Sequence, residues 1–91
     1  MRVNFEKETL DTKQKIKELL CLNLNLKKNL RELHKKVFKL YSLYELDKKY
    51  KKSKVMGDIR LVLDKLMNCL VMNKYVDHSR IEHSIIKILG V

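Results

Sequence analysis

The chain contains no proline and only two glycines, Gly57 and Gly90, among its 91 residues. A β-sheet protein needs turn residues about every eight to twelve positions, and this sequence does not supply them. Hydrophobic residues make up 45% of the chain, which is too many for a disordered tail. These features favour one all-α domain that spans residues 1–91.

Cysteine is also scarce, with Cys21 and Cys69 as the only two. The N-terminal residues 1–9 are polar and charged, unlike a secretory signal. No run reaches the roughly 18 apolar residues of a membrane-spanning helix. We therefore expect no membrane span, an intracellular location and two free thiols.

Residues that carry catalysis or bind metals are few and scattered. There are three histidines, and His78 and His83 are five positions apart, so they do not share a helix face. The isolated cysteines provide no zinc-ligand spacing. Neither a glycine-rich phosphate loop nor a nucleophile motif occurs. We predict no catalytic residues, no metal, no cofactor and no enzymatic activity.

Acidic residues are fewer than basic ones: the chain has 11 Asp and Glu and 21 Lys and Arg, so its net charge is +10. Such a surplus attracts nucleic acids, anionic lipids and acidic peptides alike. The densest run predicts an exposed basic patch that contacts phosphates or acts as a nuclear-import signal, made of Lys48, Lys49, Lys51, Lys52 and Lys54. A merely solvated run is the alternative.

The most regular apolar pattern lies in the middle of the chain. Its members are separated by alternating gaps of four and three residues: Leu26, Leu30, Leu33, Val37, Leu40 and Tyr44. That spacing places them on one face of a helix. The stripe is too short for a lone coiled coil. It predicts a central helix, residues 26–46, in a compact bundle of four to five helices.

Three further helices are predicted. The first spans residues 12–21, with Asp11 as N-cap and Gln14 completing a capping box. It follows a ragged arm at residues 1–10, in which Asn4 is the alternative, weaker start of a helix. The third spans residues 54–72. Apolar residues cover more than half of its circumference, so we expect it to be the most buried helix, with Gly57 explained by the close approach of a neighbour.

Local signals also mark the helix ends. Asn25 and Ser53 are the predicted N-caps of the second and third helices, and Asn73 is suited to end the third. The fourth helix, residues 78–89, follows the N-cap Asp77 and ends at Gly90.

Two connectors separate these helices. Residues 21–25 are rich in alternating apolar and polar side chains, but a five-residue alternation without a partner strand does not make a sheet. Either Leu22 and Leu24 both tuck under the bundle, or one of them edges a binding groove. Residues 74–76 form the second connector, which is also partly apolar.

Two stretches, residues 40–43 (LYSL) and 53–60 (SKVMGDIR), combine a leucine-rich helix end with a Ser-capped helix that carries an aliphatic pair and then a basic residue. Together with the connector 22–23 (LN), they make residues 22–89 resemble the helical domains related to the N-terminal domain of transcription elongation factor S-II. The nearest variant is the integrase-binding domain of lens-epithelium-derived growth factor, whose connector is Ile-Asp. Here asparagine replaces the aspartate, the central helix is about one turn longer, and residues 72–76 do not align cleanly with the family's last loop.

The resemblance implies a nuclear adaptor of transcription or chromatin that binds short, acidic, disordered segments between two interhelical connectors. The corresponding partner-binding residues are Leu22, Asn23, Leu24, Tyr75 and Val76. We expect a monomer. The alternative is a small basic protein that binds nucleic acid mainly through non-specific phosphate contacts. A structural homodimer through the central stripe is a third possibility.

Overall fold

Four α-helices follow one another in the computed structural model, which describes residues 4–47 and 53–90. They are α1 (Phe5–Leu19), α2 (Lys27–Leu46), α3 (Lys54–Met72) and α4 (His78–Leu89). The described residues contain no β-strand. The predicted all-α bundle is therefore confirmed. None of the helices in this part of the chain is both long and apolar enough to cross a membrane.

The first helix begins after Asn4, the alternative start, and not after Asp11, the preferred one. Asn4 is its N-cap, because the Asn4 side-chain oxygen accepts from the backbone N–H of Lys7 at 3.1 Å. Glu6 lies in the first turn, where a carboxylate is favoured by the helix dipole. Asp11 lies inside the helix. The predicted capping box at Asp11 and the ragged arm over residues 4–10 are therefore wrong.

The second helix occupies the centre of the bundle and packs against both α1 and α3. The predicted stripe is buried at Leu30, Leu33, Val37, Leu40 and Tyr44. Its first predicted member is not: Leu26 is half exposed and precedes the helix, with an extended backbone.

The third helix is less buried than predicted. Its fully buried residues are Ile59, Val62 and Leu66, whereas α2 buries six. α3 packs against α2 and α4, and the rest of its surface stays open to solvent. Gly57 is exposed, and a Cβ atom added to it would meet nothing within 4 Å. The expected close approach of another helix is therefore wrong.

The predicted ends of α3 and α4 are confirmed. Ser53 occupies the N-cap position of α3, and Asn73 ends that helix in the left-handed conformation with φ 52°. The Asp77 side chain accepts from the backbone N–H of Arg80 at 3.3 Å. Gly90 ends α4 with φ 73°. Because α4 buries its apolar face against the core, the chain closes into one bundle.

We predict that Leu33→Asp unfolds the protein, because it would bury an unpaired carboxylate at a position with no solvent exposure. The loss should exceed about 3 kcal/mol of unfolding free energy. Leu10→Asp on the exposed face of α1 is the matched control and should change it by less than about 1 kcal/mol. Urea unfolding followed by circular dichroism measures both. Equal losses would contradict the assignment of the core.

The two glycines should respond in opposite directions to alanine. Gly57→Ala adds a methyl group to an open helix surface, so we expect a gain of about 0.5–1 kcal/mol in stability. Gly90→Ala forces a side chain into the left-handed conformation and should destabilise the protein. Thermal unfolding of both variants checks the pair, and a lower melting temperature for Gly57→Ala would contradict the open surface.

Candidate partner-binding site

The two connectors meet through the side chain of Asn25. Its side-chain oxygen accepts from the backbone N–H of Val76 at 2.8 Å, and its Nδ2 donates to the backbone carbonyl of Val76 at 3.5 Å. The carboxamide thus pairs with both backbone groups of one residue, as a neighbouring β-strand would. The predicted role of Asn25 as an N-cap is wrong, because Leu26 holds that position.

The first connector is folded as a turn around Asn23. The Asn23 side-chain oxygen accepts from the backbone N–H of Asn25 at 3.0 Å. The backbone carbonyl of Asn23 accepts from the backbone N–H of Leu26 at 3.2 Å. The Asn29 side chain, in the first turn of α2, also donates to the Asn23 carbonyl at 2.9 Å. These bonds orient Asn25 toward the second connector. The Asn23 side-chain oxygen is therefore used within its own connector.

The structure divides the five predicted partner-binding residues into two groups. Leu24 and Val76 are buried in the core, so they support the connectors from beneath and present no side-chain surface to a partner. Leu22 is 43% exposed, Tyr75 is 84% exposed, and Asn23 is also exposed. The structure brings both connectors together, but only the exposed three can touch a partner.

Beside the connectors lies a cleft that the sequence did not indicate. It measures about 480 Å³ and is lined by Lys17, Leu20, Cys21, His78, Glu82 and Ile86. These residues come from the end of α1, the two positions after it, and one face of α4 from its first residue to Ile86, so the cleft adjoins both connectors along the chain. Leu20 and Ile86 give it apolar walls. Half-exposed Leu26, directly after Asn25, is a further candidate that the stripe pattern had assigned to the core.

The charged groups around this end are mostly basic. His78 and Glu82 lie 3.4 Å apart and form an ion pair when the imidazole is protonated. Several lysines have no ion-pair partner among the described residues, namely Lys17, Lys27, Lys28 and Lys74. A negatively charged ligand would therefore meet uncompensated positive charge on α1, at the start of α2 and on the second connector.

Most of the predicted basic patch cannot be placed in this geometry. Lys48, Lys49, Lys51 and Lys52 lie outside the described residues. Lys54 is the exposed first residue of α3. Phosphate binding by the patch stays a prediction. Among residues 4–47 and 53–90, no three His, Cys, Asp or Glu side chains are grouped closely enough to hold a metal ion.

Comparison with protein-family models, with curated proteins and with solved structures finds no match to this chain. The resemblance to the integrase-binding domain therefore stays a prediction. The function has to be inferred from the geometry and charge of the connector end.

We predict that Asn25→Ala weakens the connector end, because the part-buried N–H of Val76 loses its acceptor. Losing such a partner costs about 1–3 kcal/mol. Asn25→Asp keeps the acceptor and loses only the donor to the Val76 carbonyl, so the Val76 N–H should stay protected. Hydrogen exchange of the Val76 amide measures the difference, with Asn68→Ala on the exposed face of α3 as control. Unchanged exchange in Asn25→Ala would contradict this bridging role.

Proposed function

We propose that this chain is a non-enzymatic adaptor that binds short acidic segments of other proteins at the end where its connectors meet. The observation that supports this most directly is the pairing of Asn25 with Val76, which fixes two distant parts of the chain as one surface. The resemblance to the integrase-binding domain is the reason for proposing a role in transcription or chromatin, and hence in the nucleus.

Three exposed side chains offer anchor contacts on this surface: Leu22, Leu26 and Tyr75. An exposed tyrosine beside aliphatic residues is typical of the positions that carry most of the energy in protein interfaces. The adjoining cleft of about 480 Å³ is within the usual size range of ligand pockets and can hold a Phe or Leu side chain. The partner's anchors would therefore enter the cleft and pack on the connectors.

The positive charge of the connector end favours a partner segment that is acidic. Unpaired lysines flank the connectors, and the whole chain carries +10, so carboxylates next to the anchors would accelerate encounter. The connectors are already hydrogen-bonded to each other, which lowers the entropy lost on binding. An acidic segment with apolar anchors fits both properties.

The proposal is tested with a synthetic peptide of acidic residues around two phenylalanines, and with a second peptide in which serine replaces both phenylalanines. Tyr75→Ala and Leu22→Ala should each weaken the first peptide by about 1–2 kcal/mol, the usual loss for an anchor. Because both side chains are exposed, melting temperatures should stay within a few degrees. Leu46→Ala, exposed at the far end of α2, is the control. Calorimetric titration measures the affinities.

The same variants distinguish the adaptor from the nucleic-acid binder. An adaptor should lose association rate but keep its complex as salt rises, because anchors hold it. A phosphate binder should instead bind a DNA duplex with a logarithmic salt slope of about −0.9 per phosphate contacted. Replacing Lys48, Lys49, Lys51 and Lys52 by Gln should then flatten that slope. Parent-like peptide binding by both alanine variants would refute the adaptor proposal.

A further inference from the structure

A second surface lies between α2 and α3, away from the connectors. An open cleft of about 300 Å³ forms one part of it, lined by Tyr41, Glu45, Met56, Gly57 and Arg60. Arg60 Nε donates to the Tyr41 hydroxyl at 2.9 Å, and its guanidinium carbon lies 5.7 Å from the Tyr41 ring centroid. These contacts establish which faces of the two helices border the cleft.

The same faces continue along both helices as exposed apolar residues. Phe38 is seven residues before Glu45, and Met67 is seven residues after Arg60, so each lies two turns from the cleft on the same side of its helix. Phe38 is 54% exposed and Met67 44% exposed. Val71, one turn beyond Met67, is 70% exposed. We call this surface, from Gly57 to Val71 on α3 and from Arg31 to Glu45 on α2, the α2–α3 groove.

The length of the α2–α3 groove matches that of a short α-helix. Gly57 and Val71 are fourteen residues apart, which on a helix is about 21 Å, or four turns. Gly57 has open space where a Cβ would be, so that end admits a close neighbour.

His34, on the same side of α2, is partly buried. Burial lowers the pKa of His34 below its ordinary value of 6.5 and so favours the neutral imidazole.

The charges at the groove's edges are unequal. Near the cleft, the hydrogen bond to the Tyr41 hydroxyl and weaker attractions from Glu45 on α2 and Asp64 on α3 raise the pKa of Arg60, and the two carboxylates partly offset its positive charge. On the α2 side, Lys28, Arg31 and Lys35 follow one another at helical spacing. Of these three, only Lys35 lies within 4.0 Å of a carboxylate in the described part of the chain, that of Glu32 at 3.9 Å. A second copy of the chain would bring another +10 and be repelled, whereas an acidic ligand would be attracted.

We propose that the α2–α3 groove binds an acidic amphipathic helix of a partner protein, about four turns long. Its apolar stripe would pack on Phe38, Met67 and Val71, and its carboxylates would face Arg31 and Lys35, as in helix-in-groove recognition. Methionine adapts its shape to different apolar partners, which suits such a surface. This surface and ligand conformation differ from those of the connector end, so the inference goes beyond the adaptor function proposed above.

The test uses a designed helical peptide with leucines at i, i+3, i+4 and i+7 and glutamates elsewhere, together with a scrambled peptide of identical composition. Met67→Gln and Arg31→Glu should each weaken the designed peptide about tenfold. The matched controls Leu61→Gln and Lys65→Glu are exposed positions elsewhere on α3 and should change affinity less than twofold. Fluorescence anisotropy measures affinity, and amide chemical shifts should move along the α2–α3 groove.

Several outcomes would overturn the inference. They are the absence of binding at millimolar peptide, equal binding of the scrambled peptide, and equal weakening by the controls. A single-stranded oligonucleotide that displaces the designed peptide, and that binds far more tightly than it, would assign the surface to nucleic acid instead. Tyr75→Ala should leave this affinity unchanged even where it weakens the acidic, Phe-bearing peptide. If it weakens the designed helix about tenfold, the helix binds at the connectors and the inference is wrong.

Discussion

The hydrogen-bonded pairing of the Asn25 carboxamide with the backbone of Val76 determines the geometry of the connector end. Val76 is buried, so its N–H needs a partner, and no strand among the described residues provides one. A carboxamide supplies an acceptor and a donor side by side, which matches one residue's N–H and C=O. Successive side chains of an extended segment point to opposite sides. With Val76 directed into the core, Tyr75 is directed outward, so one interaction sets both the packing beneath and the surface above.

The exposed apolar residues elsewhere follow from the unequal lengths of the helices. α3 has 19 residues and α4 has 12, so the short helix leaves parts of the long one uncovered. Val71 and Met72, in the last turn of α3, are exposed. α2 is central and uses its stripe against α1 and α3, which leaves its outer face, with Phe38, to solvent. The apolar surface is thus a consequence of how the helices meet.

The sequence could predict features that depend on neighbouring residues, but not those that depend on contacts between distant parts of the chain. The ends of α3 and α4 were predictable because Asn73, Asp77 and Gly90 act within one turn. Asp11 was preferred to Asn4 as the start of α1 partly because a polar residue fills a core position: Thr12 is buried, and its hydroxyl donates to the Glu8 carbonyl at 2.7 Å. The burial of α3 was overestimated because apolar content does not say which face a neighbour covers. The bridge between Asn25 and Val76 joins residues 51 positions apart, and neither periodicity nor capping signals report such a pair.

The lysines that begin α2 run against the usual charge preference of a helix start, as does Lys54 at the start of α3. The first turn of a helix favours carboxylates and disfavours cations, and α1 follows this rule with Glu6 and Glu8. α2 begins instead with Lys27 and Lys28, has no acid in its first turn, and lacks a side-chain hydrogen bond at its N-cap. Local rules that a sequence breaks without structural compensation tend to mark functional positions. Placed directly after half-exposed Leu26, this uncompensated positive charge lies where an acidic partner anchored on the connectors would come to rest, and such a partner would supply the negative charge that the helix lacks.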